Sequence, residues 1–211
     1  MMFSRENLLL YAVTDRSWTG KQTLLEQIDD ALAGGVTLIQ LREKNLADDE
    51  FLAEAIEARK LCHRYGVPLI INDNLNVALK SDADGIHVGH DDMPISEIRK
   101  TVGEGFIIGA TAKTIEQAVS AERDGANYLG VGAVFPSSTK ENALRITNDE
   151  LRAICSAVEI PSVAIGGITL ENLSQIKGCG VSGIAVVSAI FAQEDITLAA
   201  RTLKQAALKI L

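Results

Sequence analysis

Several things this 211-residue chain lacks narrow what it can be. It has three cysteines, Cys62, Cys155 and Cys179, far apart and without a C-x-x-C pair. An odd, dispersed set of thiols supplies neither a disulfide framework nor a zinc site. Basic residues are short: 20 Lys+Arg against 28 Asp+Glu leave a formal charge of −8. That balance argues against a general nucleic-acid binder and against attachment to an anionic membrane through basic residues. No apolar run approaches the ~18 residues of a membrane-spanning helix. The N-terminal run Leu8–Val13 is too short for a signal-peptide core, so the cytoplasm is the expected location. No Ser/His/Asp or Cys/His pattern stands out, which removes the usual signs of nucleophilic catalysis. No low-complexity linker divides the chain, and only four prolines interrupt it.

What is present is an alternation. Short apolar, β-branched runs occur at Leu8–Val13, Val36–Leu41, Pro68–Ile71, Gly85–Val88, Phe106–Ala110, Tyr128–Val131, Ser162–Ile165 and Gly183–Val187. Between them lie stripes at helical spacing, such as Leu24, Ile28, Ala31, Leu32 and Phe51, Ala55, Ala58, Cys62. Asp73–Ser81 has room for two turns of helix. Thr147–Val158 and Leu170–Ile176 read as helices, and a last helix runs from Ser188 with a break near Glu194–Asp195. The units share no evident sequence signature, which sets a solenoid aside. An open doubly wound sheet and a closed (βα)8 barrel both fit. The length and lack of insertions favour a single-domain α/β barrel, a TIM barrel spanning residues 1–211.

In such a barrel chemistry sits where strands end. Strand alternation puts Gln40, Arg42 and Lys44 on one face, an anion clamp opening on the rim. Asn72-Asp73 ends the third strand, and Gly89-His90-Asp91-Asp92 follows the fourth. Hard oxygen donors suit Mg²⁺ together with substrate phosphates. Helix capping by Asp73 or Asp92 is an equally good reading of those carboxylates alone. Thr111 brings a hydroxyl to the rim after the fifth strand, and Thr114 is placed to cap the next helix. In the sixth strand Tyr128, Gly130 and Gly132 have inward parity, and the glycines leave room for a ligand. Ser137, Ser138, Thr139 and Lys140 follow as a polar loop. Gly166-Gly167 and Val187-Ser188 stand where barrels grip phosphate with backbone N–H groups. His87 has inward parity in the fourth strand; His63 reads as solvated.

Taken in order, Tyr11-Ala12-Val13-Thr14-Asp15, Gln40-Leu41-Arg42-Glu43-Lys44, Asn72-Asp73, Gly85-Ile86-His87-Val88-Gly89, Gly130-Val131-Gly132-Ala133-Val134-Phe135-Pro136, Thr139-Lys140, Gly166-Gly167-Ile168 and Val187-Ser188-Ala189 resemble the thiamine phosphate synthase family. The likeness spans nearly the whole chain. It implies a Mg²⁺-dependent transferase acting on two phosphorylated small molecules. These are 4-amino-5-hydroxymethyl-2-methylpyrimidine diphosphate and the phosphate, or carboxylated phosphate, of 4-methyl-5-hydroxyethylthiazole. The products are thiamine phosphate and diphosphate. Carried over, Gln40, Arg42 and Lys44 meet the pyrimidine diphosphate, and Asn72 meets the pyrimidine. Asp73 and Asp92 hold Mg²⁺. Thr111 stands at a usual Ser, and Lys140 meets the departing diphosphate. Ser137 and Thr139, with Gly167, Val187 and Ser188, grip the thiazole phosphate. Arg42, Lys44, Thr111 and Lys140 are the expected catalytic set. His90 replaces a usual Gln, Lys113 a frequent His and Ala133 a usual Pro. Nucleic acid and membrane are not expected partners; the oligomeric state, a homo-oligomer included, stays open. The rivals are a thiazole tautomerase of the same fold, which relies on a histidine after the fifth strand, a phosphosugar isomerase or epimerase barrel, and a non-catalytic phosphate sensor.

Overall fold

A computed structural model describes residues 3–20, 22–136 and 145–211. Eight parallel strands close into a barrel in sequence order, the last pairing with the first. They are β1 (Leu10–Val13), β2 (Leu38–Leu41), β3 (Leu69–Asn72), β4 (Gly85–Val88), β5 (Ile107–Ala112), β6 (Tyr128–Gly132), β7 (Ser162–Ile165) and β8 (Gly183–Val186). The helices are α1 (Leu24–Ala33), α2 (Asp48–Arg64), α3 (Leu75–Lys80), α4 (Ile95–Val102), α5 (Ile115–Arg123), α6 (Asn148–Ser156), α7 (Ser188–Phe191) and α8 (Ile196–Ile210). No helix among the described residues is long and apolar enough to cross a membrane.

The strands are nearly all buried on both faces, as a sheet covered by helices requires. Alternation then divides their side chains. Leu10, Ala12, Ile39, Leu41, Leu69 and Ile71 pack outward into the helix layer. Tyr11, Val13, Leu38, Ile70, Ile107, Tyr128, Val163 and Ala185 fill the inside. Several helices begin where a polar side chain accepts an early N–H: Thr23 from Glu26, Asn74 from Val77, Thr114 from Gln117, Thr147 from Glu150 and Asp195 from Leu198. The break near Glu194–Asp195 separates the short α7 from α8, because Asp195 restarts the helix as its cap.

Two expectations need correction. Leu170–Ile176 is not a full helix. Only Leu173–Ile176 coils, as a 3-10 turn, because the Asn172 side chain bonds Thr169 N–H and Gly167 C=O and commits the chain to a turn. The strand–helix units also do share a signature. Before β2, β4, β6 and β8 comes a left-handed residue, a buried small apolar residue, then a polar one: Gly35-Val36-Thr37, Asp82-Ala83-Asp84, Gly125-Ala126-Asn127 and Gly180-Val181-Ser182. In the first three the polar side chain accepts a strand N–H: Leu10 to Thr37 at 2.9 Å, Leu69 to Asp84 at 2.8 Å and Ile108 to Asn127 at 2.8 Å. These bonds pin strand register at the end opposite the site. The signature is only three residues long and recurs every second unit, so it is faint in the sequence.

Candidate active site

A cavity of about 200 Å³ opens at the carboxyl ends of the strands. Tyr11, Gln40, Asn72, His87 and Thr111 line one side; Gly166, Gly167, Val187 and Ser188 line the other. Gly130 and Gly132 contribute no side chains to its wall, which leaves space for a ring. At Gly167, with φ +63°, an added Cβ would lie 2.1 Å from the Pro136 carbonyl oxygen. Glycine there permits a close backbone turn against the Phe135-Pro136 backbone at the cavity wall.

Arg42 lines the cavity just beyond β2. Its N–H donates to the buried Thr14 hydroxyl at 3.0 Å, and its guanidinium lies 3.7 Å from Asp15. The β1 end thus aims the cation. Next to it Glu43 receives Arg16, which also reaches Glu54, tying the first two rim loops to α2. Lys44 departs from expectation. The strand stops at Leu41, so parity does not extend to residue 44; Lys44 is exposed and is not among the cavity-lining residues. Ser137, Thr139 and Lys140 lie outside the described residues.

The carboxylates Asp73 and Asp92 meet at the rim, and neither caps a helix. Asn74 caps α3 with its side chain, and α4 starts at Pro94 without a side-chain cap. Asp73 instead adopts a left-handed backbone, φ 60°, with its N–H on the His87 carbonyl. Asp92 accepts from Gly89 N–H at 2.7 Å. Loss of solvent around the Asp73 carboxyl, then repulsion from Asp92, raises it from 3.8 to about 6, with Asn72 and Arg42 opposing. Two crowded carboxylates of this kind fit a hard divalent cation, which relieves their repulsion. They are two, not three: no larger cluster of potential metal ligands exists among the described residues, so remaining positions would fall to water and substrate oxygens.

The sequence reading singled out Gln40 and Thr111 but missed what joins them. Gln40 Nε2 donates to the Tyr11 hydroxyl, which lies 2.8 Å from the Tyr128 hydroxyl. Tyr128 is 3.1 Å from His87 Nδ1, and His87 Nε2 is 3.0 Å from Thr111 Oγ1. Burial lowers His87 from 6.5 to about 4, so the ring is neutral at pH 7. Inward parity of Tyr11, Tyr128 and His87 was the available signal; that their polar tips meet across the barrel was not. Lys113, left without a role by the sequence, lines the cavity and donates its N–H to Gln117 at 2.8 Å.

A closed parallel barrel whose cavity opens at the carboxyl ends of its strands, with Arg42 in its wall and two carboxylates at its rim, has the build of a barrel enzyme for small molecules. The thiamine monophosphate synthase pattern matches residues 10–190, and the chain belongs to that family. Thiamine-phosphate synthase 2 of Streptococcus pneumoniae serotype 4 is 46% identical over 193 residues, covering 92% of each chain. The thiamine-phosphate synthase of Ruminiclostridium cellulolyticum is 45% identical over 202 residues, covering 96% of each. A thiamine phosphate pyrophosphorylase structure from Pyrococcus furiosus superposes with a TM-score of 0.91 at 39% identity, covering 98% of each chain. A 3-hexulose-6-phosphate synthase reaches 0.69 at 15% identity over 94% of this chain and 99% of its own, which shows the shared barrel alone. Family membership makes the chain a transferase of thiamine biosynthesis.

Proposed function

We propose that the chain joins 4-amino-5-hydroxymethyl-2-methylpyrimidine diphosphate to the phosphorylated 4-methyl-5-hydroxyethylthiazole, or its carboxylate, giving thiamine phosphate and diphosphate. The observation that carries this reading is the convergence of Arg42, Asp73 and Asp92 on one rim beside the cavity. A diphosphate leaves only when its charge is neutralised, and that needs fixed charges of both signs in a sheltered place. Asp73 and Asp92 would hold Mg²⁺, which supplies Lewis-acid stabilisation of the diphosphate oxygens.

Each residue of the chain then has a task. Arg42 binds the diphosphate with its planar fork, and Lys140 meets the leaving oxygens from the loop after β6. Lys44, beyond the strand end, approaches from the solvent side. Gln40 and Asn72 orient the pyrimidine, and Thr111 offers its hydroxyl to the diphosphate side. Ser137, Thr139 and the backbone of Gly167, Val187 and Ser188 hold the thiazole phosphate. The Ser188 part rests on backbone N–H groups rather than a helix dipole, since α7 is only four residues long. The C–O bond to diphosphate breaks, the aminopyrimidine carries the resulting positive charge, and the thiazole nitrogen closes on the methylene carbon. No protein nucleophile is needed; holding both substrates in line supplies much of the acceleration. A tautomerase would require a histidine where Lys113 stands.

Purified protein incubated with both substrates should release thiamine phosphate with Mg²⁺ and far less after chelation. No product under any metal condition overturns the reading. Mg²⁺ affinity should also depend on pH. Protons compete for Asp73 below about 6, so apparent affinity should fall as pH drops from 7 to 5, approaching tenfold per unit at the acid end. A calorimetric titration that is flat over this range would count against Asp73 as a ligand.

A further inference from the structure

Five polar groups cross the barrel interior in one unbroken row, and four of the five residues are buried: Gln40 at 4% exposure, Tyr11 at 1%, Tyr128 at 0% and His87 at 8%. Burying such groups is tolerated only when each is hydrogen-bonded. The row is built deliberately close. A Cβ on Gly109 would lie 2.1 Å from the Tyr128 ring, and one on Gly130 would lie 3.2 Å from the His87 ring. The two end members, Gln40 and Thr111, both line the cavity.

Proton counting fixes the sense of the whole row. An amide nitrogen only donates. Gln40 Nε2 therefore donates to the Tyr11 oxygen. Tyr11 has one proton, which goes to Tyr128, and Tyr128 gives its own to His87 Nδ1. A neutral imidazole that accepts at Nδ1 carries its proton at Nε2, so it donates to Thr111 Oγ1. The Thr111 hydroxyl then keeps its proton free to donate into the cavity it lines. At the other end the Gln40 carbonyl oxygen is left to accept. Were the Gln40 amide turned over, every bond would reverse and Thr111 would present a lone pair instead.

We propose that Gln40, Tyr11, Tyr128, His87 and Thr111 form a directional hydrogen-bond relay that locks the donor or acceptor sense of Thr111 to that of Gln40, so the cavity accepts a ligand offering a donor at one end and an anionic oxygen at the other. Tyr11, Tyr128 and His87 are positioning residues here: Tyr11 and His87 also reach the cavity wall, but within the relay all three act through the two end groups. The relay exists in the free protein; only its bearing on turnover rests on the reaction proposed above.

Nitrogen-15 NMR of histidine-labelled protein reads the relay directly, since protonated and lone-pair ring nitrogens are well separated in shift. With only three histidines, His87 is assigned by comparison with single substitutions at His63 and His90. The unmodified protein should show His87 with its proton on Nε2. Gln40→Glu, measured at pH 9 where the carboxylate only accepts, should move that proton to Nδ1, three hydrogen bonds away. Adding Tyr128→Phe should abolish the dependence: His87 then has the same tautomer with Gln or Glu at residue 40. If Gln40→Glu does not fold, Gln40→Met serves, and a mixed tautomer is expected. A His87 that keeps its Nε2 proton in folded Gln40→Glu, or that carries it on Nδ1 in the unmodified protein, overturns the relay. Tyr128→Phe should also lower kcat about tenfold, the size of one misdirected hydrogen bond. An unchanged kcat with a changed tautomer overturns the functional half alone. Failure of the protein to make thiamine phosphate at all would leave the NMR result standing.

Discussion

Asp92→Ala should lower turnover by about 10²–10³-fold while leaving the fold nearly as stable as before. The first figure is that of removing one electrostatic contact to charge developing in the transition state. The second follows from what the side chain touches. Asp92 is exposed; besides its repulsive contact with Asp73, what ties it to the described residues is a hydrogen bond from Gly89 N–H. Losing such a bond in water costs about 1 kcal/mol or less. No helix cap is lost, because the residue at the cap position of α4 is Pro94. Steady-state kinetics and a thermal melt of the same preparation separate the two effects. The variant should also lose much of its response to added Mg²⁺. With the Asp92 charge gone, the Asp73 carboxyl should fall back toward its ordinary range, which NMR titration can follow. A variant that unfolds, or one with normal turnover, removes Asp92 from the proposed metal pair.

Gly183→Ala should be the most destabilising small substitution in the barrel wall. Here β8 passes the chain leading into β1, and an added Cβ would lie 1.7 Å from the Leu8 carbonyl oxygen, 2.4 Å from its carbon and 2.9 Å from Leu9 Cα. All three atoms are backbone, so no rotamer change makes room. The β8–β1 pairing that closes the barrel begins one residue later, at Ile184 opposite Leu10. Overpacking a tight core costs up to about 3 kcal/mol or more. For a chain of this length that corresponds to a fall in Tm of roughly 6–12 °C. Gly105→Ala is the control, since nothing lies within 4 Å of its added Cβ and its backbone is not left-handed. A melt in which both variants match the unmodified protein would mean that closure does not depend on this contact.

The legible part of the site was the part carried by strand parity. Alternation places Gln40, His87, Gly130 and Gly132 inward, and position at a strand end places Asn72 and Thr111 at the rim; all six line the cavity. Lys44 shows where that argument stops, because parity holds only while the strand continues, and β2 ends at Leu41. The capping alternative for Asp73 and Asp92 could not be resolved from residue type, since aspartate suits both roles equally well. It was decided by Asn74 and Pro94, one and two residues further on, which occupy the two helix cap positions.

By itself the sequence determined the eight strand–helix units and the identity of the groups at the strand ends, and it favoured closure into a barrel over an open sheet. The first two are local: apolar runs of strand length, helical stripes between them, and side chains alternating about each strand. Only the tertiary structure decided which groups share a field or a proton. Asp73 and Asp92 are nineteen positions apart and Tyr11 and Tyr128 are 117 apart, yet each pair meets in the closed barrel. The loss of solvent and the repulsion from Asp92 that raise Asp73, and the row of bonds that orients Thr111, arise from distances of a few ångströms in the closed barrel. Those distances exist only after β8 has closed on β1.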